Sequence, residues 1–372
     1  MQYNPQQPTY PAQPQYPPQP RVQPYAQQGY PIQQYPQQNI PAPFYQPPQL
    51  TPEEYHRQAY KRTLKRTANG IGTLMLIFFA LELIISLVME VILMAAGMED
   101  ELFDMSALFL LENGVVSSIV FFVSGLIYVL ITKKRFSSLF PFDRIEGGYL
   151  AKLCVIGLAF SLMSNYVVDL VSNTFSLFGI ENSGGSIDAG SNPNVLIYFL
   201  TVAVLPAFAE EFAFRGIVMG TLRPYSESLA ILVSSATFAL MHGNFVQLPF
   251  TFCCGLVFAY IDIKTNSLLP SIIIHFLNNG LSVLADVLIS YNILSESLAN
   301  AMYGGIFCVT GILSFIFLKG IIKTDSGNTF RLKGGNDILP FKSKVKTVAS
   351  SPTLISFTAV MVLYCIVALI FT

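Results

Sequence analysis

The stretch Ala209-Glu210-Glu211-Phe212-Ala213-Phe214-Arg215-Gly216 places two carboxylates and a guanidinium inside an otherwise apolar run from about Val195 to Leu222. The run is long enough to cross a bilayer. One Asp, Lys or Arg at a bilayer centre costs roughly 2.5–3.5 kcal/mol, and a Glu is of the same order. Three such groups facing lipid would cost on the order of 8–10 kcal/mol. They must therefore face a wet or paired interior, and residues of that kind are functional candidates.

The rest of the chain supports a membrane setting. Of 372 residues, 52% are hydrophobic and 12% charged, with a mean hydropathy of +0.53. That charge share is about half the soluble-domain norm of ~25%. Several apolar runs approach 20 residues, so the fold class is all-α, a polytopic transmembrane helical bundle of 8–9 spans in the lipid bilayer. The formal net charge of −1 by itself points to no partner, and no nucleic-acid partner is expected. Cys154, Cys253, Cys254, Cys308 and Cys365 all lie in apolar runs, without CxxC or metal-ligand spacing, and are expected to be small core residues. No early apolar segment resembles a cleavable signal peptide, and the last four residues are no prenylation box.

Five regions follow along the chain. Residues 1–50 are largely Pro, Gln, Tyr and Ala, a disordered Pro/Gln-rich tail that leans toward polyproline II. Residues 51–69 form a basic juxtamembrane helix that starts at Thr51-Pro52-Glu53-Glu54 and carries Arg57, Lys61, Arg62, Lys65 and Arg66. N-terminal transmembrane helices occupy 70–193, a chemical core 194–291, and C-terminal transmembrane helices with a basic loop 292–372. Candidate spans are 71–96, 114–132, 149–171, 195–222, 226–243, 245–262, 267–290, 301–322 and 352–371. With the N-terminus in the cytosol, Lys133, Lys134, Arg135 and Arg144 fall in one inner loop, and Lys323, Arg331, Lys333, Lys342, Lys344 and Lys346 in another. The proposed outer loops, 99–113 and 173–193, carry no Lys or Arg, which is the positive-inside pattern.

Within the central run, Glu211 and Arg215 are four apart and can pair on one helix face. Glu210 lies about 100° round the helix, which leaves it the carboxylate available for proton chemistry. Of three histidines, His56 falls in the basic segment, while His242 and His275 fall in later spans. His275 and Asn279 are four apart and project from one face, with Asn278 turned away and Pro270 near the helix start. A carboxylate base, two imidazoles and an amide donor make a hydrolytic set in which one group activates water and others stabilise an oxyanion. Glu82 and Glu90 are read as paired or interfacial, Asp169 as interfacial, and Asp286 as nearly on the His275 face.

Glu210-Glu211-x-x-x-Arg215, then Phe238-x-x-x-His242, then His275-x-x-x-Asn279 resembles the CPBP family (CAAX proteases and bacteriocin-processing enzymes, also called the Abi family). These intramembrane endopeptidases include the Ras-converting CAAX endopeptidase, and the likeness covers roughly residues 195–290. It implies cleavage of a membrane-associated peptide or protein substrate, in CAAX-type processing or in bacteriocin maturation and self-immunity. By that resemblance Glu210 is the base for water, helped by His242. His275 and Asn279 form the oxyanion site, and Glu211 with Arg215 holds the architecture. The family has been described both as zinc-dependent and as using a metal-free glutamate. Glu210, His242 and His275 are the candidate ligands for Zn2+, although no HExxH is present.

Two other classes compete. A transporter or channel would use the same Glu and His groups as a proton relay strung along a pore, and a silent scaffold would keep the fold alone. Convergence of Glu210, Glu211, His242, His275 and Asn279 on one cavity discriminates hydrolysis from a relay. The span register creates a tension here. It places Glu210 and His275 about 12–18 Å from the inner end and His242 nearer the outer face, so a shared site requires the helix after Ser226 to be short, tilted or deeply set.

Overall fold

The computed structural model describes residues 50–95, 97, 112–177, 195–324, 331–333, 335 and 338–371. The Pro/Gln-rich tail lies outside the described residues, as does most of the two segments read as outer loops. The helices are α1 (Pro52–Ala95), α2 (Ser117–Thr132), α3 (Phe136–Leu139), α4 (Gly147–Ser176), α5 (Val195–Leu222), α6 (Glu227–Met241), α7 (Gln247–Thr265), α8 (Leu269–Ser290), α9 (Glu296–Thr324), α10 (Phe341–Ala349) and α11 (Pro352–Phe371). Among the described residues there is no strand, only one isolated antiparallel bridge between Phe142 and Ser267.

Eight of these helices are long and apolar enough to cross a membrane, and the chain is an integral membrane protein. The stretch expected as a ninth span, 226–243, is instead the 15-residue α6. At 1.5 Å per residue it is about 22 Å long, short of a hydrocarbon core of about 30 Å. Ser226 caps its start by accepting the Leu229 N–H. Gly243, in the left-handed region at φ 65°, ends it directly after His242. The register tension is thus relieved by a short α6.

The juxtamembrane helix and the first span are one continuous helix, α1. Its start is a capping box: the Glu54 N–H donates to Thr51 Oγ1, and the Thr51 N–H donates to Glu54 Oε2. Leu64, Ala68, Ile71, Met75 and Phe78 recur at alternating four- and three-residue spacing and are all fully buried. Beyond them, Ile84, Leu87 and Val91 are exposed, as expected of a face that meets lipid rather than water. Gly72 lets α11 close on α1, because a Cβ there would sit 2.4 Å from the Leu354 backbone nitrogen. Asn69 fixes the same crossing, accepting from Ser351 Oγ and Thr353 Oγ1.

The basic end of the bundle is knitted by polar contacts. Arg223 donates to Asn266 Oδ1, and Asn266 donates to Asp143. Part of the basic inner loop forms the amphipathic α10, whose buried Lys344 donates through Nζ to the Tyr225 carbonyl at 2.9 Å. α4 runs on to Ser176, past the expected start of an outer loop at 173. Of the cysteines, Cys154, Cys254 and Cys365 are buried as expected, but Cys253 and Cys308 are exposed. On a helix in lipid an apolar side chain need not face inward, which corrects the core assignment for those two.

Candidate active site

The helix that carries the two glutamates changes winding along its length. α5 is α-helical at Val195–Tyr198, Leu205–Glu210 and Gly220–Leu222, and π-helical at Phe199–Val204 and Glu211–Met219. Such wide turns cluster at functional sites. The second change falls between Glu210 and Glu211. The wider π turn brings Arg215 more nearly above Glu211 than an α turn would, and Arg215 Nε lies 3.2 Å from Glu211 Oε2 with both side chains fully buried. Ser234 Oγ, from α6, donates to the Phe214 carbonyl within the π segment.

Glu211 also accepts a hydrogen bond from His275 Nδ1 at 2.9 Å. A carboxylate only accepts, so Nδ1 carries a proton. The other ring nitrogen, Nε2, points at Glu210 and lies 3.8 Å from its Oε2. That separation is beyond a hydrogen bond, and among the described residues Glu210 Oε2 is buried with no hydrogen-bond partner. His242 is fixed in the same manner: Nδ1 lies 2.9 Å from the Phe238 carbonyl, which also only accepts, so Nε2 is the nitrogen with a lone pair in the neutral ring.

Phe238 joins these groups. The Arg215 guanidinium carbon sits 4.2 Å from its ring centroid, and its ring meets His242 edge to face at 4.8 Å. One cation is thus held by a carboxylate on its edge and an aromatic face below it. The phenylalanine of Phe-x-x-x-His therefore has a physical task as the platform between the ion pair and the imidazole.

Asn279 is placed by a proline on another helix. Pro206 lacks the N–H that would meet the Val202 carbonyl four residues back in an α-helix, and Asn279 Nδ2 donates to that carbonyl at 3.0 Å. Asn278 Nδ2 donates to Asn279 Oδ1, which orients the amide.

Glu210, His242 and Asn279 line one cavity of about 480 Å³, whose other walls include Glu82 and Ser86 of α1, Ser117 and Phe121 of α2, and Tyr364 of α11. His275 reaches its edge through Glu210. A carboxylate with an unmet lone pair, an imidazole and a carboxamide thus share a chamber inside an apolar bundle.

Residues 192–281 match the family model described as Type II CAAX prenyl endopeptidase Rce1-like. That range holds every residue of the cluster on α5, α6 and α8. Over these residues the chain is similar to the CAAX protease family. A second comparison places it beside the membrane-embedded CAAX protease MroQ of Staphylococcus aureus (strain USA300), 28% identical over 151 residues, which are 38% of this chain and 60% of that protein. The chain therefore spans less than two thirds of that relative's length. No solved structure matches the chain.

The structure brings together Glu210, Glu211, Arg215, His242, His275 and Asn279. Asp286 does not line the chamber: about three turns along α8 from His275, it accepts from Tyr198 Oη at 2.8 Å. Glu90 is exposed toward the end of α1, and His56 is exposed in its basic part. Glu82 follows the paired alternative: it accepts from Ser117 Oγ across α1 and α2, and it lines the chamber. Asp262, on α7, escapes notice in the sequence because it stands near the end of an apolar run. It is buried, accepts the Ser271 N–H, and lies near enough to Glu211 and Arg215 to feel both charges. Its signal is the four-residue step from Phe258, which packs beside both Arg215 and His275.

The zinc reading needs three lone pairs directed at one point. His275 and His242 each commit Nδ1 to a fixed hydrogen bond and keep Nε2, as metal-ligating imidazoles do; among the described residues no three His, Cys, Asp or Glu side chains are grouped to hold a metal ion.

Proposed function

We propose that this chain is an intramembrane endopeptidase that hydrolyses a peptide bond in a membrane-associated peptide or protein through glutamate-activated water. The observation that carries the reading is the meeting of Glu210, His242 and Asn279 in one chamber, with His275 Nε2 3.8 Å from Glu210 Oε2. Convergence of this kind supports hydrolysis over a proton relay, which would space its groups along a path.

The steps follow from the side chains. Glu210, with its unmet acceptor, takes a proton from water, and His242 Nε2 steadies that water. The water oxygen adds to the scissile carbonyl carbon. A proton on His275 Nε2 can face the oxyanion, and the second N–H of Asn279 completes the pair. The C–N bond then breaks as the leaving nitrogen takes the proton held by Glu210. The products are a new carboxyl end and a new amine end. Glu211, Arg215 and Phe238 hold the frame, and no step is routed through a metal.

The setting proposed is a bacterial plasma membrane, with the N-terminus and the basic end of the bundle in the cytosol. Prenylated CAAX proteins are substrates where the host prenylates proteins, and otherwise the role is peptide maturation or self-immunity to bacteriocins. The test is cleavage of fluorogenic peptides by the full chain in lipid nanodiscs. Glu210→Gln and His275→Ala should abolish it while the proteins still elute as folded particles; unchanged cleavage in either would remove the mechanism.

A further inference from the structure

Asp262 of α7 is 1% exposed and takes no part in the proposed chemistry. It stands at the turn between α7 and the helix that carries His275. Its main chain ends α7: the Ser267 N–H donates to the Asp262 carbonyl at 3.2 Å, and Asn266, at φ 50°, makes the left-handed turn that closes the helix. Its side chain starts α8: Oδ1 accepts the Ser271 N–H at 3.2 Å.

That second contact fills a gap in the sequence of α8. The first N–H groups of a helix have no partner four residues back, and a Ser, Thr, Asn or Asp at the cap commonly supplies an oxygen for one of them. The cap of α8 is Leu268, whose side chain makes no such bond. Ser267 Oγ accepts from the Leu269 N–H, and Pro270 has no N–H to give. Ser271 is the donor left over, and its own hydroxyl is turned to the Leu268 carbonyl. Asp262 thus does for α8, from another helix, what the cap residue of α8 cannot.

The turn held in this way lies directly before the imidazole. His275 is four residues beyond Ser271, so the two share a face of α8, and Glu211 feels both the Ser271 hydroxyl and the His275 ring. His275 Nδ1 donates to Glu211 at 2.9 Å, while Nε2 lies 3.8 Å from Glu210. A small roll or slide of α8 would break the first contact and misplace the second. The anchor is itself fixed, because Asn266 is bonded to Arg223, just after α5, and to Asp143. Asp262 therefore relates α8 to the helix that bears both glutamates.

We propose that Asp262 is a positioning residue: by capping α8 from α7 it sets the register of the first turn and so holds His275 between Glu210 and Glu211. The hydrogen bond, not the charge, does this. The expected effect on kcat rests on the peptidase reading of the site; the effect on the ring does not.

The experiment uses the full chain in lipid nanodiscs, with 15N-labelled histidine. The Nδ1–H signal of His275 is assigned by its loss in His275→Gln. Asp262→Asn keeps an acceptor oxygen, and Asp262→Leu removes it at similar volume. In Asp262→Asn the signal and kcat should stay near those of the wild type. In Asp262→Leu the Nδ1–H should exchange with solvent about tenfold faster, and kcat should fall by about 10²-fold with KM changed by less than about twofold. A folded Asp262→Leu with an unchanged signal overturns the inference, as does an Asp262→Asn that loses the signal, since it has lost only charge. Where Asp262→Leu does not fold, Asp262→Asn decides alone: a retained signal supports the bond and a lost one overturns it. A signal that depends on Asp262 in a chain that cleaves no peptide would sink the peptidase reading and leave this one standing. Cleavage by a chain whose His275 signal ignores Asp262 would do the reverse.

Discussion

Asn279 Nδ2 donates to the Val202 carbonyl at 3.0 Å, the carbonyl that Pro206 leaves without its α-helical donor. A gap in one helix therefore positions an amide on another. Asn279→Ala should lower kcat by about 10²–10³, the loss typical of one oxyanion donor. Asn279→Asp should be as slow and also less stable, since a carboxylate oxygen would face a carbonyl oxygen. Pro206→Ala supplies a competing N–H and should lower kcat by less than Asn279→Ala. Steady-state cleavage in nanodiscs, with thermal unfolding alongside, separates the three.

Glu210 and Glu211 are adjacent yet should fail differently. Glu210 is partly exposed to the chamber, while Glu211 and Arg215 are fully buried partners. Breaking a buried pair from one side costs about 3–5 kcal/mol, because it strands the remaining charge. Arg215→Ala and Glu211→Gln should unfold at markedly lower denaturant, whereas Glu210→Gln should lose activity and keep nearly wild-type stability. Equal destabilisation by all three would contradict the division drawn here.

Gly243 has φ 65° directly after His242, and a Cβ there would meet the Tyr364 ring at 2.6 Å. The left-handed region costs a residue other than glycine about 1–2 kcal/mol. Gly243→Ala should destabilise by that order and lower kcat more than it raises KM, because α6 ends at the residue that carries the imidazole.

The Nδ1 atoms of His275 and His242 are held by a carboxylate and a backbone carbonyl, and the proposed mechanism asks for no metal. Incubation with EDTA or 1,10-phenanthroline, followed by removal of the chelator, should leave cleavage within twofold of the untreated chain. Loss of cleavage restored by added Zn2+ would overturn the metal-free mechanism.

Much of this arrangement is legible in the residues alone. The cost of placing Glu210, Glu211 and Arg215 in lipid forces an interior, and four-residue spacing pairs Glu211 with Arg215 and aligns His275 with Asn279. The end of α6 is legible to within two residues, but its failure to span is not, because the apolar segment 226–243 sits at the lower edge of a spanning length while the helix itself has 15 residues. The π turns in α5 are hidden too, since a change in winding leaves no compositional mark. Asp262 is missed, and Glu82 is read only as paired or interfacial, for a different reason. Each is one carboxylate in an apolar run, and only the packing of neighbouring helices shows whether it meets lipid, headgroups or a partner.

The chamber's far side comes from α1, α2 and α11, outside residues 192–281. An excised fragment bearing only the matched residues would keep the acid, the imidazoles and the amide but would open them to acyl chains. Conversely, grafting foreign sequences onto α1 and α2 should retune which peptides enter while the proton-handling groups stay untouched. Selectivity and chemistry are thus separable cargoes on different helices, and either can be re-engineered alone.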